Sequence, residues 1–263
     1  MDDAMVVAYL ARIGATRSPV LGAAALRRLH RAHLISVPFE NLSIHLGEAV
    51  SLAGDELAAK IVRRRRGGFC YELNGAFAVL LEALGATVMR LAARVYGDGR
   101  LGPPFDHLAL AVRLPDGTGP WLADVGFGDL SVYPLALDSR RMQDDPAGQF
   151  LLADAEDGDV DVLRHGEPQY RVEMRDRSLA DFVPACWWQA TSPLSHFTQR
   201  TICSRLTETG RISISGRTLI NTTGTGRTEQ ELADESALLT AYSNHFGITL
   251  DHAPAAPQAK PGA

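Results

Sequence analysis

Cysteine is scarce in this chain, with three among 263 residues. Three unevenly spaced thiols build no disulfide framework and no zinc-ligand pattern. A reducing, cytoplasmic setting is therefore expected, with no metal. Positive charge is not in surplus either. Lysine and arginine number 26 against 31 aspartates and glutamates, a formal net charge of −5. A nucleic-acid partner wants a basic surface, so none is expected. No apolar run reaches the length of a membrane span, so no membrane partner is expected. The opening Met1-Asp2-Asp3 is acidic and leads into no apolar core, so no secretory leader is expected. No internal repeat is visible. What is present is a hydrophobic content of 46%, enough for a sizeable core over two or three subdomains.

The first third of the chain has a helical period. Val6, Tyr9, Leu10 and Ile13 share one face, which Gly14 ends. Leu26, Leu29 and His33 mark a second helix and residues 55–62 a third. Leu73, Phe77, Leu80, Leu81 and Leu84 make the clearest stripe, with Gly85 as its C-terminal stop. The middle third switches to period two. Residues 88–96, the alternating Leu108, Leu110, Val112 and Leu114, residues 121–125, and the series Tyr170, Val172, Met174 all read as strands. Pro115-Asp116-Gly117 is a turn, and residues 154–158 are a loop. A barrel or strongly curved antiparallel sheet is expected. In the last third a short helix over residues 179–189 is interrupted at Pro184. Strands are expected over 198–206 and 211–221. Thr228-Glu229-Gln230-Glu231 reads as a capping box opening a helix that contains Leu232, Leu238, Leu239 and Tyr242 and closes at Gly247. Residues 253–263 are rich in proline and alanine and are expected to be disordered.

One cysteine stands apart. Gly67-Gly68-Phe69 delivers Cys70 to the start of the best-patterned helix. Backbone N–H groups and the positive end of the helix dipole favour a thiolate there. A cysteine nucleophile needs a base, and the base needs a group to hold its tautomer. His107 opens a strand on the face opposite its leucines. Asp124 lies in the next strand, out of phase with its apolar neighbours. A connection through residues 115–120 makes the two strands a hairpin, with His107 and Asp124 near its open end. A lone cysteine at a helix start is commonly a small buried residue. An aspartate between Ala123 and Val125 is costly there without a partner, and the three residues together point to a catalytic triad.

These residues resemble the arylamine N-acetyltransferase family. The resemblance rests on Arg66-Gly67-Gly68-Phe69-Cys70-Tyr71-Glu72-Leu73-Asn74-Gly75, on Val37-Pro38-Phe39-Glu40-Asn41-Leu42, on His107-Leu108-Ala109-Leu110 and on Asp124-Val125-Gly126-Phe127-Gly128. Ser195-His196-Phe197-Thr198 and Phe246-Gly247-Ile248 extend it more weakly toward residue 250. The resemblance implies an α+β fold of the cysteine-protease-like, or transglutaminase-like, kind. An N-terminal helical bundle (1–86) would carry the nucleophile. An antiparallel β-barrel (87–190) would carry the histidine and aspartate, and a C-terminal α/β lid (191–252) would precede the 253–263 tail. It implies a ping-pong reaction in which acetyl-CoA acetylates Cys70 and an arylamine, arylhydrazine or arylhydroxylamine then takes the acetyl group. His107 would be the base and Asp124 the orienting carboxylate. No tightly bound cofactor is needed, because the thioester donor, acetyl-CoA as co-substrate, is already activated.

A dry pocket would suppress hydrolysis of the acyl-enzyme. Phe39, Phe69, Val95, Phe127 and Phe197 are its candidate walls; in the family, the position of Phe127 helps select the acceptor. For CoA, the loop Gly126-Phe127-Gly128 is the family's contact. Thr223-Gly224-Thr225-Gly226-Arg227 is a second glycine loop that could run into a helix. Among Arg63-Arg64-Arg65-Arg66, Arg66 is expected to pair with Glu40 and brace the cysteine loop, the others being solvated. Glu72 and Asn74 are candidate supports. Cys186 and Cys203 match no motif and are expected to be buried. The same triad would also serve an amide synthase that closes macrolactams, or a cysteine protease or transglutaminase; a binding module with a relict triad is the non-enzymatic alternative.

Overall fold

Gly14 and Gly85, the two glycines expected to end helices, adopt positive φ of +66° and +95°, which side-chain-bearing residues avoid. The computed structural model describes residues 1–255. The N-terminal part contains α1 (Asp3–Arg12), α2 (Ala23–Ser36), a two-residue strand β1 (Phe39–Glu40), α3 (Leu42–His45), α4 (Gly54–Val62) and α5 (Cys70–Ala83). Asp2 caps α1 by accepting from the Met5 N–H at 2.8 Å. The stripe expected on α5 is wider than one face: eleven of its fourteen residues are buried. It packs against α1 and α4 and also against the sheet strands β2 (Thr87–Gly97) and β4 (His107–Arg113). A helix buried this widely keeps only a narrow edge for polar residues, here Glu82.

The middle of the chain adds β3 (Arg100–Leu101), β5 (Trp121–Ala123), β6 (Leu135–Ala136), β7 (Gln143–Asp145), β8 (Gly148–Asp154), β9 (Val160–Arg164) and β10 (Glu167–Arg177). Their order is β6-β5-β4-β2-β10-β9-β8-β7, with β3 paired to the end of β2, and every pairing is antiparallel. The expected barrel is nearly closed, and one side chain bridges its two edges. The Gln143 amide on β7 accepts from the Ala136 N–H at 2.7 Å and donates to the Ala136 carbonyl at 3.0 Å, standing in for a ladder pair with β6. β4 divides two cores. Leu108, Leu110 and Val112 pack with the helices, whereas Ala109 and Ala111 face the barrel interior with Phe150, Val162 and Tyr170.

The C-terminal part holds α6 (Val183–Thr191), α7 (His196–Gln199), β11 (Ile202–Leu206), β12 (Gly210–Ser215), β13 (Thr218–Thr223), β14 (Gly226–Glu231) and α8 (Glu235–Phe246). The strands form a second sheet in the order β1-β11-β12-β13-β14. Several expectations change here. Pro184 does not interrupt a helix: it sits in the first turn of α6, where its missing N–H costs nothing. Residues 198–199 belong to α7 rather than to a strand. The stretch 211–221 is a hairpin, because Gly216 turns the chain with φ +60°. Residues 228–231 are not a capping box. They pair with β13, Thr228 opposite Asn221, and Asp234 caps α8 instead by accepting from the Ala237 N–H at 2.8 Å. Gly247 closes α8 in the left-handed region, as expected. Of the tail expected to be disordered, residues 253–255 are tied down: Ala253 N–H donates to Glu235 and Ala255 N–H to the His45 carbonyl. The rest of that expectation lies outside the described residues.

Candidate active site

Close approach explains the two glycines ahead of Cys70. A Cβ on Gly67 would lie 1.8 Å from the Pro38 carbonyl oxygen, and one on Gly68 would lie 2.5 Å from the Glu72 carboxylate. The second neighbour, Glu72, belongs to the loop's own bracing. Arg66, as expected, meets Glu40 with two N–H groups at 2.9 and 3.2 Å. Glu40 also accepts from the Gly67 and Leu42 N–H groups, so its buried charge is fully engaged. Glu72 accepts from Lys60 at 2.6 Å and from the Phe69 N–H at 3.3 Å. Arg63, Arg64 and Arg65 are exposed.

Cys70 is the first residue of α5 and is buried. The position was expected to favour a thiolate, but burial outweighs the helix tip and pushes the thiol pKa well up. The Leu108 N–H acts in the lowering direction, while Asp124 and Asp106 add to the rise. The nearby arginines do not oppose it, since Arg66 is committed to Glu40 and Glu48. A thiolate here needs a neighbour to take the proton.

β5 ends at Ala123, so Asp124 leaves the ladder just where the register pairs Leu110 with Ala123. His107 Nε2 and Asp124 Oδ2 are 2.7 Å apart, and both side chains are almost wholly buried. The other Asp124 oxygen accepts from Asn74 at 2.8 Å and from the Gly126 N–H at 3.0 Å. Burial would raise the Asp124 pKa, but His107 and these donors hold it below the usual carboxylate range. Asn74 sits one turn beyond Cys70 on α5. It also donates to the Leu108 carbonyl at 2.6 Å and accepts from the Val125 N–H at 2.9 Å. Gly126 is pressed against the Cys70 backbone: a Cβ there would lie 2.8 Å from the Cys70 Cα.

Two neighbours of this cluster escaped the sequence reading. His30 accepts from the Asp124 N–H at 3.1 Å through Nε2 and donates from Nδ1 to the Val132 carbonyl at 2.9 Å, which fixes a neutral tautomer. Its only sequence signal is a histidine within a buried helix stripe. Tyr170 packs its ring 5.2 Å from His107 and 5.2 Å from Phe127, and its period-two alternation with Val172 reads only as core.

The five expected pocket residues fall into two groups. Phe39, Phe69 and Phe197 cluster beside the cysteine loop, with Phe197 5.2 Å from Phe69 and 6.1 Å from Phe39. Val95 and Phe127 pack with the barrel core, and Phe127 stands edge-on to His107 at 5.2 Å. Gly128 faces the first group: a Cβ there would lie 3.6 Å from the Phe39 ring. None of the five lines the apolar cavity of about 840 Å³ that opens between residues 47–53 and α6. In the loop proposed for CoA, the Gly126 N–H is already given to Asp124. The second glycine loop runs into no helix; it is the exposed β13–β14 hairpin turn. Cys186 and Cys203 are free and buried, as expected. No helix among the described residues is long and apolar enough to cross a membrane.

A sequence model of the N-acetyltransferase family matches residues 23–255. The arylamine N-acetyltransferase of Escherichia coli strain K12 is 32% identical over 254 residues, covering 93% of this chain and 89% of the relative. That of Mycolicibacterium smegmatis is 36% identical over 251 residues, covering 92% and 91%. Among solved structures, the M. smegmatis arylamine N-acetyl transferase matches with a TM-score of 0.86 at 33% identity, over 95% of this chain and 93% of that one. The Mycobacterium marinum arylamine N-acetyltransferase in complex with CoA matches with a TM-score of 0.84 at 32% identity, over 92% of each. Fold and matches together define an acyltransferase. The chain belongs to the arylamine N-acetyltransferase family.

Proposed function

We propose that this protein moves an acetyl group from acetyl-CoA to the nitrogen of arylamines, arylhydrazines or arylhydroxylamines, through an acetyl-Cys70 intermediate. The buried 2.7 Å contact between His107 and Asp124, set against the tip of α5, carries the reading. Asp124 accepts the Nε2–H, which leaves Nδ1 as the basic nitrogen. His107 takes the Cys70 proton, and the sulfur attacks the thioester carbonyl. Collapse of the tetrahedral adduct breaks the bond to the CoA sulfur, which leaves with the proton held by His107. The amine then attacks the acetyl-cysteine, His107 accepts its proton, and the Cys70 sulfur departs and is reprotonated.

Phe39, Phe69 and Phe197 on one side, and Val95 and Phe127 on the other, form apolar walls suited to an aromatic acceptor and unsuited to water. Phe127 and Gly128 border the CoA route; Gly126 contributes close packing against Cys70 rather than a free donor. The helical unit (1–86) supplies the nucleophile, the barrel unit (87–190) its base and carboxylate, and residues 191–252 cover them. The reaction suits the cytoplasm, where acetyl-CoA and reduced thiols coexist.

Intact-mass measurement after mixing with acetyl-CoA alone tests the first step. One acetyl group per chain is expected, absent in Cys70→Ala and discharged by an added arylamine. A wild-type chain that stays unmodified while CoA is absent from the supernatant would rule the mechanism out.

A further inference from the structure

Asp106, the residue before His107, has a carboxylate that accepts from Gln189 Nε2 on α6 at 2.8 Å, and the Val95 N–H faces the same group. Gln189 Oε1 in turn accepts from the Ser195 hydroxyl at 2.6 Å. Ser195 is the cap of α7, and its oxygen accepts from the Phe197 N–H at 3.1 Å. Gln189 and Ser195 are both buried, so neither side chain has water as a substitute partner, while Asp106 and Phe197 are half-buried.

The series has a direction. A carboxylate met by two N–H donors only accepts, so Gln189 must turn its NH2 toward Asp106. Its carbonyl oxygen then faces Ser195 and claims the hydroxyl proton. That leaves a lone pair of the hydroxyl for the Phe197 N–H. The carbonyl of Phe197 is gripped as well, by Asn41 at 2.8 Å and His45 at 2.9 Å. The Phe197 backbone is thus held at both ends, and one end leads to the neighbour of His107.

We infer that Asp106, Gln189 and Ser195 form a directional relay that positions Phe197, and with it the acceptor side of the pocket, relative to His107. The inference rests on the acetyl-transfer reading above. Gln189 is a positioning residue: it acts on the pocket wall through Ser195 and on the histidine strand through Asp106. One carboxylate thereby ties together β2 at Val95, α6, α7 and the start of β4, which come from distant parts of the chain.

The test compares Gln189→Leu, Ser195→Ala and Ser195→Thr by two readouts. The first is hydrogen exchange at the Phe197 amide, which needs no activity. Exchange should quicken about tenfold in Gln189→Leu and Ser195→Ala and return toward wild type in Ser195→Thr, which keeps the hydroxyl. The second separates the half-reactions. The acceptor KM should rise about tenfold in Gln189→Leu and in Ser195→Ala, while acetylation of Cys70 slows no more than about threefold. Unchanged Phe197 exchange and unchanged acceptor KM in Gln189→Leu would overturn the relay. So would a parallel loss of both half-reactions that Ser195→Thr does not rescue, because that is the mark of general destabilisation. If wild-type Cys70 takes up no acetyl group, the acetyl-transfer reading falls, and the exchange measurement still decides the relay.

Discussion

Asn74 donates to Asp124 across 2.8 Å, so a single side chain on the helix of Cys70 holds the carboxylate that meets His107. The helical core and the barrel are joined at this point by polar contacts rather than by apolar packing alone. Asn74 satisfies the Leu108 carbonyl and the Val125 N–H as well, and its exposure is 0%.

Asn74→Leu keeps the branched outline, adds some bulk, and removes all three bonds. Each buried group left unpaired costs about 1–3 kcal/mol, so a fall in stability of several kcal/mol is expected. Asn74→Asp should be worse for activity than for folding, because it sets a second carboxylate against Asp124. Denaturant unfolding alongside thiol release from acetyl-CoA checks both. An Asn74→Leu variant as stable and as active as wild type would remove the bridge.

Burial, with the neighbouring carboxylates adding to it, pushes the Cys70 thiol pKa up, so the thiolate depends on the imidazole. In His107→Gln that acceptor is gone. Alkylation by iodoacetamide should become negligible at pH 7 and grow only above the ordinary thiol range of about 8.5. Wild type should outpace it at neutral pH, and the gap should narrow as pH rises. Equal rates at pH 7 would show that His107 does not handle the proton.

Acid sensitivity follows from two buried carboxylates. Burial opposes the charge on Glu40, but Lys60, Arg66 and the Leu42 N–H outweigh it and hold the pKa below its ordinary value. Asp124 is held low in the same sense. As pH falls, the unfolded chain binds protons at these groups first. Their stabilisation is full above the ordinary carboxylate range and is lost as pH drops through it toward the folded values. Glu72 is raised by burial and opposes part of this trend. The thermal midpoint of wild type should fall between about pH 5 and pH 3, and the fall should be shallower in Glu40→Gln. That variant should also lose about 3 kcal/mol at pH 7, because Arg66 keeps a buried charge with only the part-exposed Glu48 carboxylate left opposite it. An identical pH slope in the two proteins would show that Glu40 is not responsible.

The main helices of the first third, four of the barrel strands (β2, β4, β5 and β10), and the placement of Cys70 and His107 at element starts were legible in the residues; β6 to β9 were not, and Asp124, expected inside a strand over 121–125, lies just past the end of β5 at Ala123. Each legible feature rests on local physics: apolar spacing, glycine at a helix end, or an aspartate where a strand tolerates none. The pairing of Arg66 with Glu40 was legible because both lie in matched motifs. The errors share a cause. Thr228-Glu229-Gln230-Glu231 has the composition of a helix start, yet its backbone finds ladder partners on β13, and pairing outweighs local propensity. Gly216 divides one apparent strand into two because only the fold says which glycine turns.

By itself, then, the order of side chains set where elements begin and which of them can carry a nucleophile, a base and a carboxylate. It could not set the state of the sulfur, because a helix tip favours charge while burial opposes it, and burial is a tertiary property. Nor could it reveal His30 behind Asp124, the division of the phenylalanines between two cores, or the line from Asp106 to Phe197. His30 and Asp124 lie 94 positions apart and Asp106 and Gln189 lie 83 apart, and only the packing of helix against sheet brings them within hydrogen-bonding reach.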